Sequence, residues 1–216
     1  MNLNSAQVKD LLLSVSHLFQ EKRDELAQLD SIIGDGDHGI SMARGAKAAE
    51  KQLVGMGDNE PVNEYFKIYG RTLIAEIGGA MGPLFGIIFT EFGKSCRDAQ
   101  TFGKTEFING VVNATDKVMD LGGAKRGDKT MVDGMLATKD ALTSLDVSHL
   151  SFEEATLIAM QSSKAGLEAT IDLMARRGRS KFLKEKSIGH PDAGATSFHY
   201  LMKQIHLFVT KKGDMQ

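Results

Sequence analysis

Three carboxylates, Asp30, Asp35 and Asp37, fall within eight residues of the stretch Leu29-Asp-Ser-Ile-Ile-Gly-Asp-Gly-Asp-His-Gly-Ile-Ser41, set among three glycines. If Gly34 and Gly36 fold the segment back so that the acids converge to roughly 5 Å, each pair repels by roughly 3 kcal/mol at an effective dielectric of about 20. A bound cation reverses that sign. Because every candidate ligand is a hard carboxylate oxygen, with no cysteine nearby, Mg2+ or a similar ion fits better than zinc. A solvated acidic turn is the plainer account, since Asp and Gly are ordinary turn residues. The setting weighs against it: apolar helical patterns lie on both sides, so the acids sit between two helix ends, and His38, Gly39, Ile40 and Ser41 open the second helix. Its free N–H groups and positive dipole end suit a phosphate, and metal beside phosphate is the usual arrangement of a nucleotide site.

Further chemistry lies in three later stretches. Gly78-Gly79 lets a backbone approach a ligand closely, and the N–H groups of Gly79, Ala80 and Met81 offer a second anion seat; the pair also serves as a helix C-cap. Gly122-Gly-Ala-Lys-Arg-Gly-Asp-Lys-Thr130 resembles a P-loop but is not one, because Asp128 separates the last glycine from Lys129 and no strand precedes it. Gly122 suits close approach of a flat base and Met131 offers polarizable contact, although Met131 fits a core position equally well. Lys125, Arg126 and Lys129 read as a solvated loop by default. Arg179 suits a phosphate or a base face and Asp192 a ribose or amino group, with simple solvation as the alternative for Arg179. His38 and His190 invite acid–base or metal roles, less so with carboxylates supplying the metal set. Cys96 sits among apolar residues, an unfavourable place for a nucleophile.

The elements that must position these residues are helical. Apolar residues recur at spacings of three and four from Ser5 to about Leu29, where Asp30 is expected to end the first helix. Further helices are expected from about Gly39 to Gly55, from Pro61 to Ile77, from Pro83 to about Gln100, from Thr105 to Leu121 and from Thr130 to Leu145. Ser151 with Glu154 forms a capping box for a seventh helix running to about Arg177, and Ala195 to Thr210 makes an eighth. No strand is expected. In an all-helical chain with short connections successive helices run antiparallel, so loops one, three, five and seven emerge together. These odd loops hold Asp30 to His38, Gly78 to Gly82, Gly122 to Lys129 and Gly178 to Gly194, whereas the even loops are plain turns. Four such loops meeting at one end describe a site.

Composition bounds the function. The 216 residues are 42% hydrophobic and 25% charged, enough for one sizeable core, so a single domain over 1–216 is expected. A net charge of -2 and scattered Lys and Arg disfavour nucleic acid as partner. One cysteine, no apolar run of membrane-spanning length and a polar N-terminus point to a cytoplasmic protein with no membrane association.

Taken together, these motifs match a family. Leu29-Asp30 with Gly34-Asp-Gly-Asp-His-Gly39, Gly78-Gly79 with Gly82-Pro-Leu84, Gly127-Asp-Lys-Thr-Met131 and Gly189-His-Pro-Asp-Ala-Gly-Ala-Thr-Ser197 resemble the L subunit of dihydroxyacetone kinase. The resemblance covers nearly the whole chain, with motifs in all four odd loops in order. It implies an all-α barrel of eight antiparallel amphipathic helices holding ADP or ATP and two Mg2+ at one end. Residues matching Asp30, Asp35 and Asp37 hold the metals in that family. Those matching His38, Gly39, Ile40, Ser41, Gly79 and Ala80 lie at the phosphates, and those matching Gly122, Met131, Arg179, Asp192, Ala193 and Gly194 complete the pocket. Ala80 and Met81 stand where many members carry hydroxyls, which bears on subfamily and substrate.

The resemblance further implies a separate K subunit holding dihydroxyacetone, or a related ketose, covalently on a histidine. A phosphotransferase-system M subunit rephosphorylates ADP in place when L is a separate chain, and 216 residues leave no room for a K domain. No side chain becomes phosphorylated, so catalysis rests on positioning and electrostatics. Two other functions fit the same site: a non-catalytic nucleotide-bound regulator of a transcription factor, and the nucleotide-binding half of a kinase acting on another carrier such as a fatty-acid-binding protein. Chain length disfavours the second.

Overall fold

Asn4 starts the first helix by a reciprocal cap: its side chain accepts from the Gln7 N–H while the Gln7 side chain accepts from its own. The computed structural model describes residues 2–144 and 146–213. α1 (Ser5–Glu21) buries Val8, Leu11, Leu12, Val15 and Phe19, the face the spacing predicts. The chain then turns at Lys22 and resumes as α2 (Arg23–Ile33), so the expected first helix is two. Only Leu26 and Ile33 of α2 are buried, which leaves little apolar face to hold it in line with α1. Asp30 does not end the helix as expected. It lies in the last turn of α2, where its carbonyl accepts from the Gly34 N–H at 2.6 Å.

The remaining helices are α3 (His38–Val54), α4 (Val62–Glu76), α5 (Met81–Ser95), α6 (Lys104–Gly122), α7 (Met131–Ser144), α8 (Phe152–Ala169) and α9 (Ala193–Gly213). The expected end of the sixth helical segment at Leu145 lies outside the described residues. α5 starts two residues before Pro83 and closes at Cys96, short of Gln100. α8 opens on the expected Ser151–Glu154 capping box but stops well before Arg177, passing through a single 3-10 turn at Thr170–Asp172. The stretch expected as a loop before α9, Gly178 to Gly194, contains 3-10 turns over Ser180–Ser187, kinked at Lys184.

α1 packs on α3, and from α3 onward each helix packs on the next in the chain; α9 returns to α1 and α2 and closes the barrel. With α1 and α2 taken as one broken segment, eight antiparallel segments surround one continuous apolar core. No strand forms among the described residues; one isolated bridge ties Leu3 to Phe102. No helix among them is long and apolar enough to cross a membrane.

The two ends of the barrel differ. Phe66, Phe92, Phe102, Phe107 and Phe152 plug the end that carries the α3–α4, α5–α6 and α7–α8 connections, with Phe66 and Phe102 ring centroids 4.9 Å apart and Phe92 stacked on Phe107 at 5.9 Å. Each such pair contributes about 0.5–1.5 kcal/mol beyond its buried area. Among the described residues, every glycine in the left-handed region, Gly36, Gly79, Gly123, Gly127, Gly178 and Gly189, lies at the opposite end, with Lys129 and Lys184. Among the described residues the connections at the aromatic end turn without left-handed backbone, and those at the opposite end use it.

Candidate nucleotide and metal site

A cavity of about 540 Å³ opens at that end, lined by residues from all four odd connections. At its mouth one carboxylate oxygen each from Asp30, Asp35 and Asp37 lies within 4.8 Å of the others. At that separation, and at an effective dielectric of about 20, each pair repels by about 3 kcal/mol. Burial first, then the neighbouring carboxylates, hold Asp30 and Asp37 above the ordinary carboxylate range. The donor set is all oxygen and its repulsion is uncompensated within the trio, so these residues fit a hard divalent cation. One cation stands close by: Arg179 Nη1 is 2.6 Å from Asp35 Oδ2.

The helix starts that face the cavity fall into two kinds. α3 begins after Asp37 and α5 after Ala80, and neither of these residues caps its helix with its own side chain. The His38 N–H donates to Asp30 Oδ2 at 3.3 Å, which ties the metal-binding candidate to the helix start. Pro83 has no N–H to satisfy, so the first turn of α5 leaves only the donors of Met81 and Gly82 open. α7 and α9 are capped instead. At α7 the Thr130 hydroxyl accepts from the Val132 N–H at 3.2 Å while Asp133 reaches back to the Thr130 N–H at 2.9 Å and to the Gly127 N–H, and at α9 Asp192 accepts from the Ala195 N–H at 2.8 Å. Uncapped starts offer donors to anions; capped ones offer shape.

The structure brings most of the expected residues together. Asp30, Asp35, His38, Ala80, Gly122, Met131, Arg179, Asp192, Ala193 and Gly194 all line the cavity. Asp37, Gly39, Ile40, Ser41 and Gly79 do not. Gly39 serves helix packing instead, because a Cβ there would sit 2.0 Å from the Arg23 carbonyl oxygen and 2.5 Å from the Ala27 nitrogen; its bare backbone lets α3 lie directly on α2. Ile40 is exposed and Ser41 buried in α3. Gly79 takes a left-handed φ of 67° between α4 and α5, a conformation that an L side chain strains to adopt.

His38 is buried, its ring against Phe85 and its Nε2 2.7 Å from Ser197 Oγ. Burial draws its pKa down to about 4, so it is a neutral hydrogen-bonding group at pH 7. Asp192 is pushed up to about 6 by burial, against the Ala195 hydrogen bond. Cys96 is buried at the end of α5, and burial pushes its thiol up to about 12, which excludes it as a nucleophile.

Three features of the site are not legible in the sequence. Lys129, expected in a solvated loop, is only 2% exposed and lines the cavity. Its charge made it look like surface, and only its place in the Gly127-Asp-Lys-Thr-Met131 motif pointed elsewhere. Arg177, expected at a helix end, donates to Asp128 Oδ2 and the Gly123 carbonyl and ties the chain after α8 to the α6–α7 connection. Leu84 and Phe85 of α5 form apolar wall; Leu84 stands in the Gly82-Pro-Leu84 motif and at a helical core spacing, and nothing in the sequence singles out Phe85.

A family described as DAK2 domain matches residues 32–207. The chain is 33% identical to the PEP-dependent dihydroxyacetone kinase, ADP-binding subunit DhaL of Escherichia coli, over 96% of this chain and 98% of that one. It is 36% identical to the PTS-dependent dihydroxyacetone kinase, ADP-binding subunit DhaL of Lactococcus lactis, over 86% and 88%. The L-erythrulose 1-kinase of Mycolicibacterium smegmatis is 32% identical over 93% of this chain, which spans 36% of that protein. Among solved structures, the dihydroxyacetone kinase of C. freundii in complex with AMP-PNP and Mg2+ superposes with a TM-score of 0.69 at 22% identity, over 96% of this chain and 34% of that one. At that identity the likeness is one of fold.

Proposed function

The chain belongs to the DAK2-domain family, and on that premise we propose that it is the nucleotide-binding subunit of a dihydroxyacetone or related ketose kinase, a single helical domain working in the cytoplasm. The observation that carries this is the convergence of Asp30, Asp35 and Asp37 at the mouth of a cavity bordered by the uncapped starts of α3 and α5. The three carboxylates would hold Mg2+, two ions by family resemblance, which supplies neutralising charge to the phosphate oxygens when bound. N–H groups at the starts of α3 and α5 orient those phosphates, and Ala80 and Met81 make their contribution through backbone. Gly122, Met131, Asp192, Ala193 and Gly194 shape the base side. Arg179, 71% exposed and paired with Asp35 in the free chain, would pair with a phosphate oxygen instead once Asp35 holds Mg2+.

Phosphoryl transfer then needs no covalent intermediate on this chain. The terminal phosphoryl group passes to a hydroxyl of substrate presented by a separate K-type subunit, and the ADP left behind is rephosphorylated by a phosphotransferase-system M-type subunit. Exposed apolar side chains gather around the cavity end: Ile32, Ile40, Leu121, Met174, Phe182, Leu183 and Ile188. An apolar rim around a phosphate site supports docking of such a partner.

The test is reconstitution with a K-type subunit and dihydroxyacetone or erythrulose, supplied either with ATP or with a phosphotransferase chain and phosphoenolpyruvate. Turnover with phosphoenolpyruvate and catalytic ADP is the expected result. No turnover with any ketose under either donor would contradict it and favour a nucleotide-bound regulator.

A further inference from the structure

Lys129 combines three features seldom found together in a lysine. It is buried, its backbone φ is 59°, and its ammonium donates to two carbonyls far away in sequence, those of Thr170 at the end of α8 and His190 before α9. Burying an ammonium and holding a non-glycine residue in the left-handed region both cost free energy, so the surroundings must hold this conformation firmly. They do. Asp133 accepts from the N–H groups on either side of it, Gly127 and Thr130, and Asp128 accepts from the Lys125 N–H and the Arg177 guanidinium.

Thr170 is the other half of the arrangement. Its carbonyl takes the Lys129 ammonium, and its hydroxyl accepts from the Asp192 N–H at 3.0 Å. Asp192 in turn caps α9. Lys129 and Thr170 therefore fix the start of α9 relative to the start of α7, the two capped starts that border the cavity. The fit there is close, since a Cβ on Gly194 would lie 3.4 Å from Met131 Cβ. The start of α5 has no part in this network, and the start of α3 meets α9 one turn further along, where His38 Nε2 lies 2.7 Å from Ser197 Oγ, outside the Lys129–Thr170–Asp192 chain of hydrogen bonds.

We propose that Lys129 is a positioning residue for the base half of the nucleotide site: through Thr170 and His190 it sets the spacing between the α7 and α9 starts, and it leaves the phosphate half untouched. This rests on the nucleotide assignment above. Burial pulls the Lys129 pKa below its ordinary value, while Asp192, Asp172 and Asp133 oppose that pull, as expected for a buried cation balanced by nearby carboxylates.

The test compares two probes, ADP and inorganic pyrophosphate, each with Mg2+, by calorimetric titration of the full chain. Lys129→Met should weaken ADP binding about tenfold or more while changing pyrophosphate binding less than about twofold, as loss of specific hydrogen bonds to one half of a ligand site requires. Lys129→Arg, which keeps charge and donors, should recover most of the ADP affinity. Thr170→Val, which removes the hydroxyl that accepts from the Asp192 N–H and donates to the Leu167 carbonyl but keeps the carbonyl that takes the Lys129 ammonium, should show the same selective loss and decides the matter if Lys129→Met does not fold. Unchanged ADP binding in the variants, or equal loss of both probes, would overturn the proposal while leaving the nucleotide assignment standing. A parent chain that takes up no ADP would overturn both.

Discussion

The Arg179 guanidinium lies 2.6 Å from the Asp35 carboxylate, so a side chain from the connection before α9 places positive charge against the acidic trio of the free chain. That contact competes with a metal ion for the same oxygen. Arg179→Ala should therefore raise the affinity of the nucleotide-free chain for Mg2+. An exposed ion pair contributes about 0.2–1 kcal/mol, so the gain should be no more than about fivefold. Titration calorimetry of Mg2+ into the free variant checks this, and weaker Mg2+ binding would show that Arg179 organises the trio.

Asp35→Asn removes one anionic ligand and leaves the neighbouring carboxylates with less charge to share. The variant should lose Mg2+-dependent retention of ADP on gel filtration while keeping its helical fold, because Asp35 is exposed and outside the core. ADP carried through the column in EDTA would count against the metal assignment.

Two glycines of the site region should behave in opposite ways. Gly39→Ala forces a Cβ into the backbone of α2, and overpacking of this kind costs about 1–3 kcal/mol or more. Gly78 has nothing within 4 Å of an added Cβ, so Gly78→Ala should leave stability nearly unchanged. Chemical denaturation of the pair separates a packing glycine from a free one.

Much of this arrangement is legible in the sequence, and the exceptions have physical causes. Apolar periodicity locates the helical segments, and the odd–even division of glycine and acid singles out the end of the barrel that holds the cavity. Asp30 reads as a helix terminator because the apolar pattern gives out where α2 becomes shallow, although its hydrogen bonds continue to Ile33. Lys22 is invisible as a break, since nothing but a single turn-like φ/ψ pair marks it. Lys129 escapes notice for a different reason: a lysine in a charged loop is normally solvated, and only distant carbonyls from Thr170 and His190 make its burial tolerable.

His38 and Asp192 should oppose each other in the pH dependence of stability. The His38 pKa is about 4 against 6.5 for the ordinary residue, so the unfolded chain binds the extra proton between those values and His38 makes stability rise with pH there. Asp192 titrates at about 6 against 3.8, so the folded chain holds the extra proton and Asp192 makes stability fall with rising pH over about the same window. Relative to the parent, Asp192→Asn should steepen the rise in urea midpoint from pH 4 to 6 and His38→Gln should reverse or flatten it. Parallel curves for all three chains would refute both assignments.

Phe182, 76% exposed beside the cavity, should matter to a partner and not to the nucleotide. Phe182→Ser is expected to leave Mg2+-ADP binding unchanged and to raise the K-subunit concentration needed for half-maximal turnover, by about tenfold if it is an anchor of the interface. An unchanged requirement would remove the rim from the docking surface.

The most direct test is the stoichiometry of ligand uptake by the purified chain, read by native mass spectrometry with and without EDTA. The account predicts one ADP and two Mg2+ bound together, both lost on chelation and neither retained by Asp35→Asn. ADP bound at full occupancy without metal, or no nucleotide under any condition, would contradict it.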